Sequence, residues 1–185
     1  RLCTFNYGDL PIPYNSALTA FSGPLHQHVL DATAAETTLT VLYGVVFKGL
    51  MRRGKTVRGV MAEHEGRNYD IRAKLVVGAD GIKSAVRKAL GIPAQVYQYP
   101  EGYLLGVLQR PPGFDHRSRY YIGRKEILGL LPVPNDQLYF FYLLSNATRA
   151  GLDAAGFESI KNAMAEIDPS LTQPLKQLTR LDQTI

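Results

Sequence analysis

The stretch that most constrains the fold is Lys74–Gly91, which reads KLVVGADGIKSAVRKALG. Leu75, Val76 and Val77 form a short apolar run without alternation, the pattern of a strand buried on both faces. Gly78 and Gly81 permit tight, open backbone around Asp80. Ser84 is placed to cap a short helix over Ala85–Leu90, and Gly91 followed by Pro93 ends it. The product is a strand, a turn bearing one carboxylate, and a helix start. Such a corner suits a carboxylate held beside backbone amides, where a ribose hydroxyl or a phosphate can be gripped.

Residues 78–87, Gly-Ala-Asp-Gly-Ile-Lys-Ser-Ala-Val-Arg, resemble the G-A-D-G-x-x-S-x-V-R signature of the FAD-dependent aromatic hydroxylases, the p-hydroxybenzoate hydroxylase-like flavoprotein monooxygenases. The resemblance implies that Asp80 binds the ribose of FAD, with Gly81 giving backbone approach and Lys83 and Arg87 touching nucleotide. It also implies that backbone near Val46 and Phe47 lies against the adenine. The competing explanation is an ordinary strand-to-helix connection. Asp80 then caps the helix, and Arg87 and Lys88 oppose its dipole.

Ahead of this corner the chain is strand-like over Arg1–Tyr7 and broken at Gly8-Asp9 and Pro11-Ile12-Pro13. Ser22-Gly23-Pro24 predicts a helix start, with the helix over about Leu25–Ala35 and Leu25, Val29 and Ala32 on one face. Where the resembling family has an arginine three residues before the leucine, Ser22 stands here. A meander follows: Leu39–Phe47, a turn at Arg52-Arg53-Gly54-Lys55, Val57–Glu63, a turn at Glu65-Gly66-Arg67, and Tyr69–Ala73. No G-x-G-x-x-G run, the dinucleotide fingerprint, occurs in the sequence. The expectation is therefore an internal fragment of a longer flavoprotein.

From Tyr97 onward the pattern changes. Tyr103–Leu108, Arg117–Ile122, Glu126–Leu131 and Gln137–Ser145 read as four strands with loops too short for crossover helices, hence antiparallel. In the last strand both alternating sets are apolar, Leu138, Phe140, Tyr142 and Leu144 against Tyr139, Phe141 and Leu143. One face packs on helices. The resemblance makes the other a substrate wall, with Tyr139, Phe141 and Tyr121 lining the pocket, although plain core packing is the simpler account of any single aromatic. A helix over Ala155–Ile167 is stopped by Asp168-Pro169, and Leu171, Leu175 and Leu178 continue the helical rhythm.

The fold class expected is α+β: an α/β portion of a Rossmann-like FAD/NAD(P)-binding domain joined to an antiparallel substrate domain. The divisions expected are 1–20, a strand of the substrate domain; 21–95, a partial flavin domain; and 96–185, the substrate sheet with its helices. A single Cys3 leaves no disulfide framework and fits a reducing cytoplasm. The net charge of +5 comes from 21 basic and 16 acidic residues scattered along the chain. That argues for anionic small molecules over nucleic acid. Arg117, Arg119, Arg124 and Lys125 gather on one hairpin, for a carboxylated substrate or the nicotinamide nucleotide phosphates, or more simply for solubility and edge protection. No apolar run is long enough to span a membrane, and His26, His28, His64 and His116 lack metal-ligand spacing.

No catalytic nucleophile or acid–base pair is evident. The resemblance implies that FAD with NAD(P)H supplies the chemistry, inserting one oxygen atom from O2 into an aromatic or other small apolar substrate. The alternatives are a reductase of the same fold acting on prenyl lipids, and a binding module whose flavin corner is a relic. A homodimer is compatible with all three.

Overall fold

A computed structural model describes residues 3–124 and 126–184. They divide into two compact units, Arg1–Ala32 with Tyr99–Ile185, and Thr33–Gln98. Each is described by itself.

The unit Thr33–Gln98 is a three-stranded antiparallel meander, β1 (Val46–Arg53), β2 (Thr56–His64) and β3 (Arg67–Arg72), with a short helix α2 (Ala85–Ala89). The first expected strand, Leu39–Phe47, lies further on. Gly44 takes φ +68 and breaks the Val-Leu-Tyr run, so pairing begins only at Val46. Arg52 and Arg53 consequently belong to β1, and the turn falls at Gly54-Lys55. Two bulges interrupt the β1–β2 ladder. Phe47 pairs with Ala62 and Gly49 with Met61, then Met51 with Gly59 and Arg52 with Val57, which leaves Lys48 and Arg58 as the extra residues.

Leu75–Val77 forms no strand and has no strand partner among the described residues, and Leu75 and Val77 are each 78% exposed. The expected doubly buried strand is not formed. Apolar composition favours burial, but a strand also needs a neighbouring ladder to accept its backbone groups. The meander does not extend that far: β3 ends at Arg72, and one further bond, Ala73 N–H to the Arg58 carbonyl at 2.9 Å, closes the pairing.

The second unit carries a four-stranded antiparallel sheet in the order β4-β7-β6-β5: β4 (Glu101–Gln109), β7 (Gln137–Ser145), β6 (Ile127–Val133) and β5 (Arg119–Ile122). The four strands expected after Tyr97 all form. Leu104, Leu108, Leu128, Leu130, Leu138, Phe140, Tyr142 and Leu144 share one face and are buried. Phe157, Ile160 and Met164 of α4 (Ala154–Ile167), followed by Leu171, Leu175 and Leu178, cover that face. Asp153 caps α4 by accepting from Gly156 N–H at 2.7 Å. Thr172–Leu175 forms α5, and Asn146–Ala150 forms α3, capped by Ser145.

At the N-terminus the expected strand over Arg1–Tyr7 is not formed. Residues 3–6 pair with no strand, and Tyr7–Asp9 is a 3₁₀ turn held by Asn6, whose side chain accepts from Gly8 N–H. Arg1 and Leu2 lie outside the described residues. The expected helix spans Ser22–Thr33 (α1). Thr19 Oγ1 donates to the Pro132 carbonyl at 2.5 Å and ties this segment to β6.

Candidate functional site

The corner before α2 is built by close approach. A Cβ on Gly78 would lie 2.8 Å from Val86 Cγ1, so only glycine lets the turn fold back onto its own helix. Gly81 takes φ +78, which places Asp80 over the helix start, and open space surrounds the position a Gly81 side chain would occupy. Ser84 Oγ donates to Asp80 Oδ1 at 2.5 Å, while Ala85 and Val86 N–H donate to Oδ2 at 2.7 and 3.1 Å. Ser84 Oγ in turn accepts from Arg87 N–H at 3.0 Å. The Ser84 hydroxyl, then the Val86 and Ala85 amides, hold the Asp80 carboxyl below its ordinary value, so it is a carboxylate at neutral pH.

Asp80 is thus a cap for its own helix, as the plain strand-to-helix explanation has it. Capping does not exhaust it. A carboxylate offers about four acceptor positions, and the three bonds leave one on Oδ1, in an exposed side chain beside the open Gly81 backbone. A hydroxyl donor such as a ribose fits that vacancy in chemistry. Arg87 braces the corner, donating one guanidinium N–H to the Ile82 carbonyl at 2.6 Å, and keeps further donors. Lys83 is exposed.

Val46 and Phe47 open β1 in the same unit, Val46 exposed and Phe47 half-buried. Immediately before them lies a cleft of about 360 Å³ lined by Val41, Leu42, Tyr43, Val45, His64 and Tyr69. Its apolar and aromatic walls suit a flat heterocycle.

On the sheet of the other unit, the face turned away from α4 is aromatic and partly open. One row runs across it through cross-strand partners: Leu105, Phe141, Gly129 and Tyr120. A Cβ on Gly129 would sit 2.1 Å from the Phe141 ring, so the ring lies flat over the glycine. Tyr103 meets it edge-on at 5.2 Å and Tyr120 tilts against it at 5.5 Å. Tyr139 shares this face, two residues back on β7. Tyr103 and Tyr120 were not singled out from the sequence. The signal was a glycine inside an apolar strand, which marks close approach by a large neighbour.

Tyr121 stands on the opposite face from Tyr139 and Phe141. It pairs across to Leu128, which pairs to the buried Tyr142, and its hydroxyl donates to Asp168 Oδ2 at 2.6 Å. The strand register decides this: Tyr120, not Tyr121, is in phase with Phe141. Arg119 faces the same way as Tyr121, with its guanidinium 4.0 Å over the Phe114 ring and ion-paired to Asp115 and Asp168. Arg117 also pairs with Asp115, at 3.9 Å, and Lys125 lies outside the described residues. Two of the four hairpin cations, Arg117 and Arg119, thus have acidic partners among the described residues.

Comparison with known proteins places the chain in a family. Residues 15–175 match the family described as FAD binding domain. The 6-methylpretetramide 4-monooxygenase of Streptomyces rimosus is 40% identical over 172 residues, covering 93% of this chain and 41% of that protein. Digeranylgeranylglycerophospholipid reductase 1 of Methanococcoides burtonii is 31% identical over 144 residues, covering 70% of this chain and 33% of that protein. Among solved structures, Pseudomonas aeruginosa PqsL in complex with 2-aminobenzoylacetate superposes with a TM-score of 0.69 at 23% identity, over 87% of this chain and 44% of PqsL. The chain spans under half the length of the curated relatives it matches. With its Gly78–Arg87 corner and a match over most of its residues, the chain belongs to the FAD binding domain family, the flavoprotein family of the aromatic hydroxylases.

Proposed function

We propose that this chain is part of a FAD-dependent monooxygenase that oxygenates an aromatic or other small apolar substrate with NAD(P)H and O2. The observation that carries the reading is the Asp80 corner: an ionised, exposed carboxylate that keeps one acceptor position after capping α2. Support comes from the monooxygenase relative at 40% identity. When bound, FAD supplies the redox and oxygen chemistry. The chain's own residues bind and orient. Asp80 accepts from a ribose hydroxyl, Gly81 leaves its backbone approachable, and the cleft before Val46 and Phe47 seats the adenine. Lys83 and Arg87 are the cations placed to meet nucleotide. Tyr139 and Phe141, joined by Tyr103 and Tyr120, form an apolar wall that takes the substrate and excludes water.

In the full-length protein, Asp80→Ala is expected to weaken FAD retention by roughly tenfold or more, the loss of a charge-assisted hydrogen bond, with the circular dichroism spectrum unchanged. Equal flavin content in both proteins would remove Asp80 from the site. Phe141→Ala is expected to raise KM for the organic substrate by about tenfold at unchanged flavin content.

The reductase likeness keeps a second reading alive, reduction of a prenyl lipid at a flavin held by the same corner. Oxygen consumption coupled to NAD(P)H oxidation and substrate turnover selects the monooxygenase. Reduction of an alkene without oxygen uptake selects the reductase.

A further inference from the structure

The surplus positive charge is not shared evenly. Residues 33–98 hold eleven of the 21 lysines and arginines but five of the 16 acidic residues, a balance of +6 that exceeds the whole chain's +5. Part of it converges. Arg53 at the end of β1, Arg58 in β2, and Arg72 with Lys74 at and beyond the end of β3 line one shallow cup of about 440 Å³, together with Ala73. None of the four makes an ion pair with an acidic side chain among the described residues.

The backbone beneath the cup is specialised. Arg58 is the extra residue of the second β1–β2 bulge, a device that re-aims a side chain. Beside it, Gly59 brings β2 so near β3 that a Cβ would fall 2.1 Å from the Ile71 carbonyl oxygen. The Ala73 N–H bond to the Arg58 carbonyl then carries the pairing one step past Arg72 and holds Lys74 alongside. Four like charges lining one cup repel one another, and an anion between them removes that repulsion. Arginine forks match phosphate oxygens in geometry. A diphosphate carries more than one negative charge and offers oxygens on two phosphorus atoms, so it can meet more than one of these cations at once.

We propose that the cup formed by Arg53, Arg58, Arg72 and Lys74 is a diphosphate-binding site, distinct in its residues from the Asp80 corner. It does not rest on the monooxygenase reading. Two sources carry this chemistry, a free diphosphate and the bridging diphosphate of a pyridine dinucleotide.

The test is calorimetric titration of the intact, FAD-loaded protein with inorganic pyrophosphate and, separately, with NADPH. Arg58→Gln/Arg72→Gln is expected to weaken pyrophosphate binding at least about tenfold, with flavin content and melting temperature unchanged. The charge-matched control Arg67→Gln/Lys176→Gln, outside the cup, is expected to change it less than about twofold. A parallel loss for NADPH identifies the dinucleotide as the source, and unchanged NADPH binding identifies a free diphosphate. Pyrophosphate affinity that is undetectable in the parent, or equally weakened by control and cup variants, overturns the site.

Discussion

Gly59→Ala is expected to detach β3 from β2 and to destabilise the meander by on the order of 3 kcal/mol, in the range of severe single substitutions. The new Cβ would lie 2.1 Å from the Ile71 carbonyl oxygen and 2.9 Å from Arg72 Cα. These are backbone atoms of the partner strand, so no rotamer change relieves the overlap. Gly59 also takes φ +152, a conformation L side chains rarely adopt. The strands must separate, and little holds β3 in place. It is an edge strand in the order β1-β2-β3, and every one of its residues is exposed. Hydrogen exchange is the measurement: the amides of β3 and Ala73 are expected to lose protection, while those of the β4–β7 sheet keep it. Unchanged protection at Ala73 would show that the ladder tolerates the methyl group. Gly54→Ala, also at positive φ but with open space around its Cβ position, separates strain from collision and is expected to cost about 1 kcal/mol.

The sequence is informative where a local rule and the tertiary environment agree. Gln137–Ser145 alternates two apolar sets between turn residues, and β7 occupies that range with Leu138, Phe140, Tyr142 and Leu144 on the buried face. The helical spacing of Phe157, Ile160 and Met164 likewise meets the core. The Gly78–Arg87 corner is legible because glycine, aspartate and serine each have one local use there. Elsewhere the outcome depends on partners far along the chain. Leu75–Val77 has strand composition without a ladder to join. The face shown by Tyr121 follows from the β5–β6–β7 register, which is set by turn geometry between strands. The bulge at Arg58 leaves no mark that distinguishes it from an ordinary exposed arginine.

Removing the Asp168 carboxylate is expected to destabilise the sheet unit by about 3 kcal/mol, the usual result of breaking a buried charged network from one side. Asp168 is 7% exposed and joins two layers. It accepts from the Tyr121 hydroxyl at 2.6 Å on β5, and from Ser170 Oγ and N–H at 2.7 and 3.1 Å just past α4. Arg119 Nη1 stands 3.8 Å away. Asp168→Ala leaves the Tyr121 hydroxyl and Arg119 without their buried partner, and loosens β5, the edge strand that presents Tyr120 beside Phe141. Tyr121→Phe is expected to cost about 1 kcal/mol, and the double variant less than the sum, because both changes remove one bond. Burial pushes the Asp168 carboxyl up, but hydrogen bonds from Tyr121 and Ser170 and the charge of Arg119 outweigh it and hold it below its ordinary 3.8. With the folded value lowered, the stabilisation is fully present above about pH 4 and is lost as pH falls through that lowered value. Denaturant melts between pH 2 and 7 are therefore expected to show an acid-side loss in the parent that is shallower in Asp168→Asn. An Asp168→Ala protein as stable as the parent at pH 7 would assign the joint between β5 and α4 to apolar packing alone.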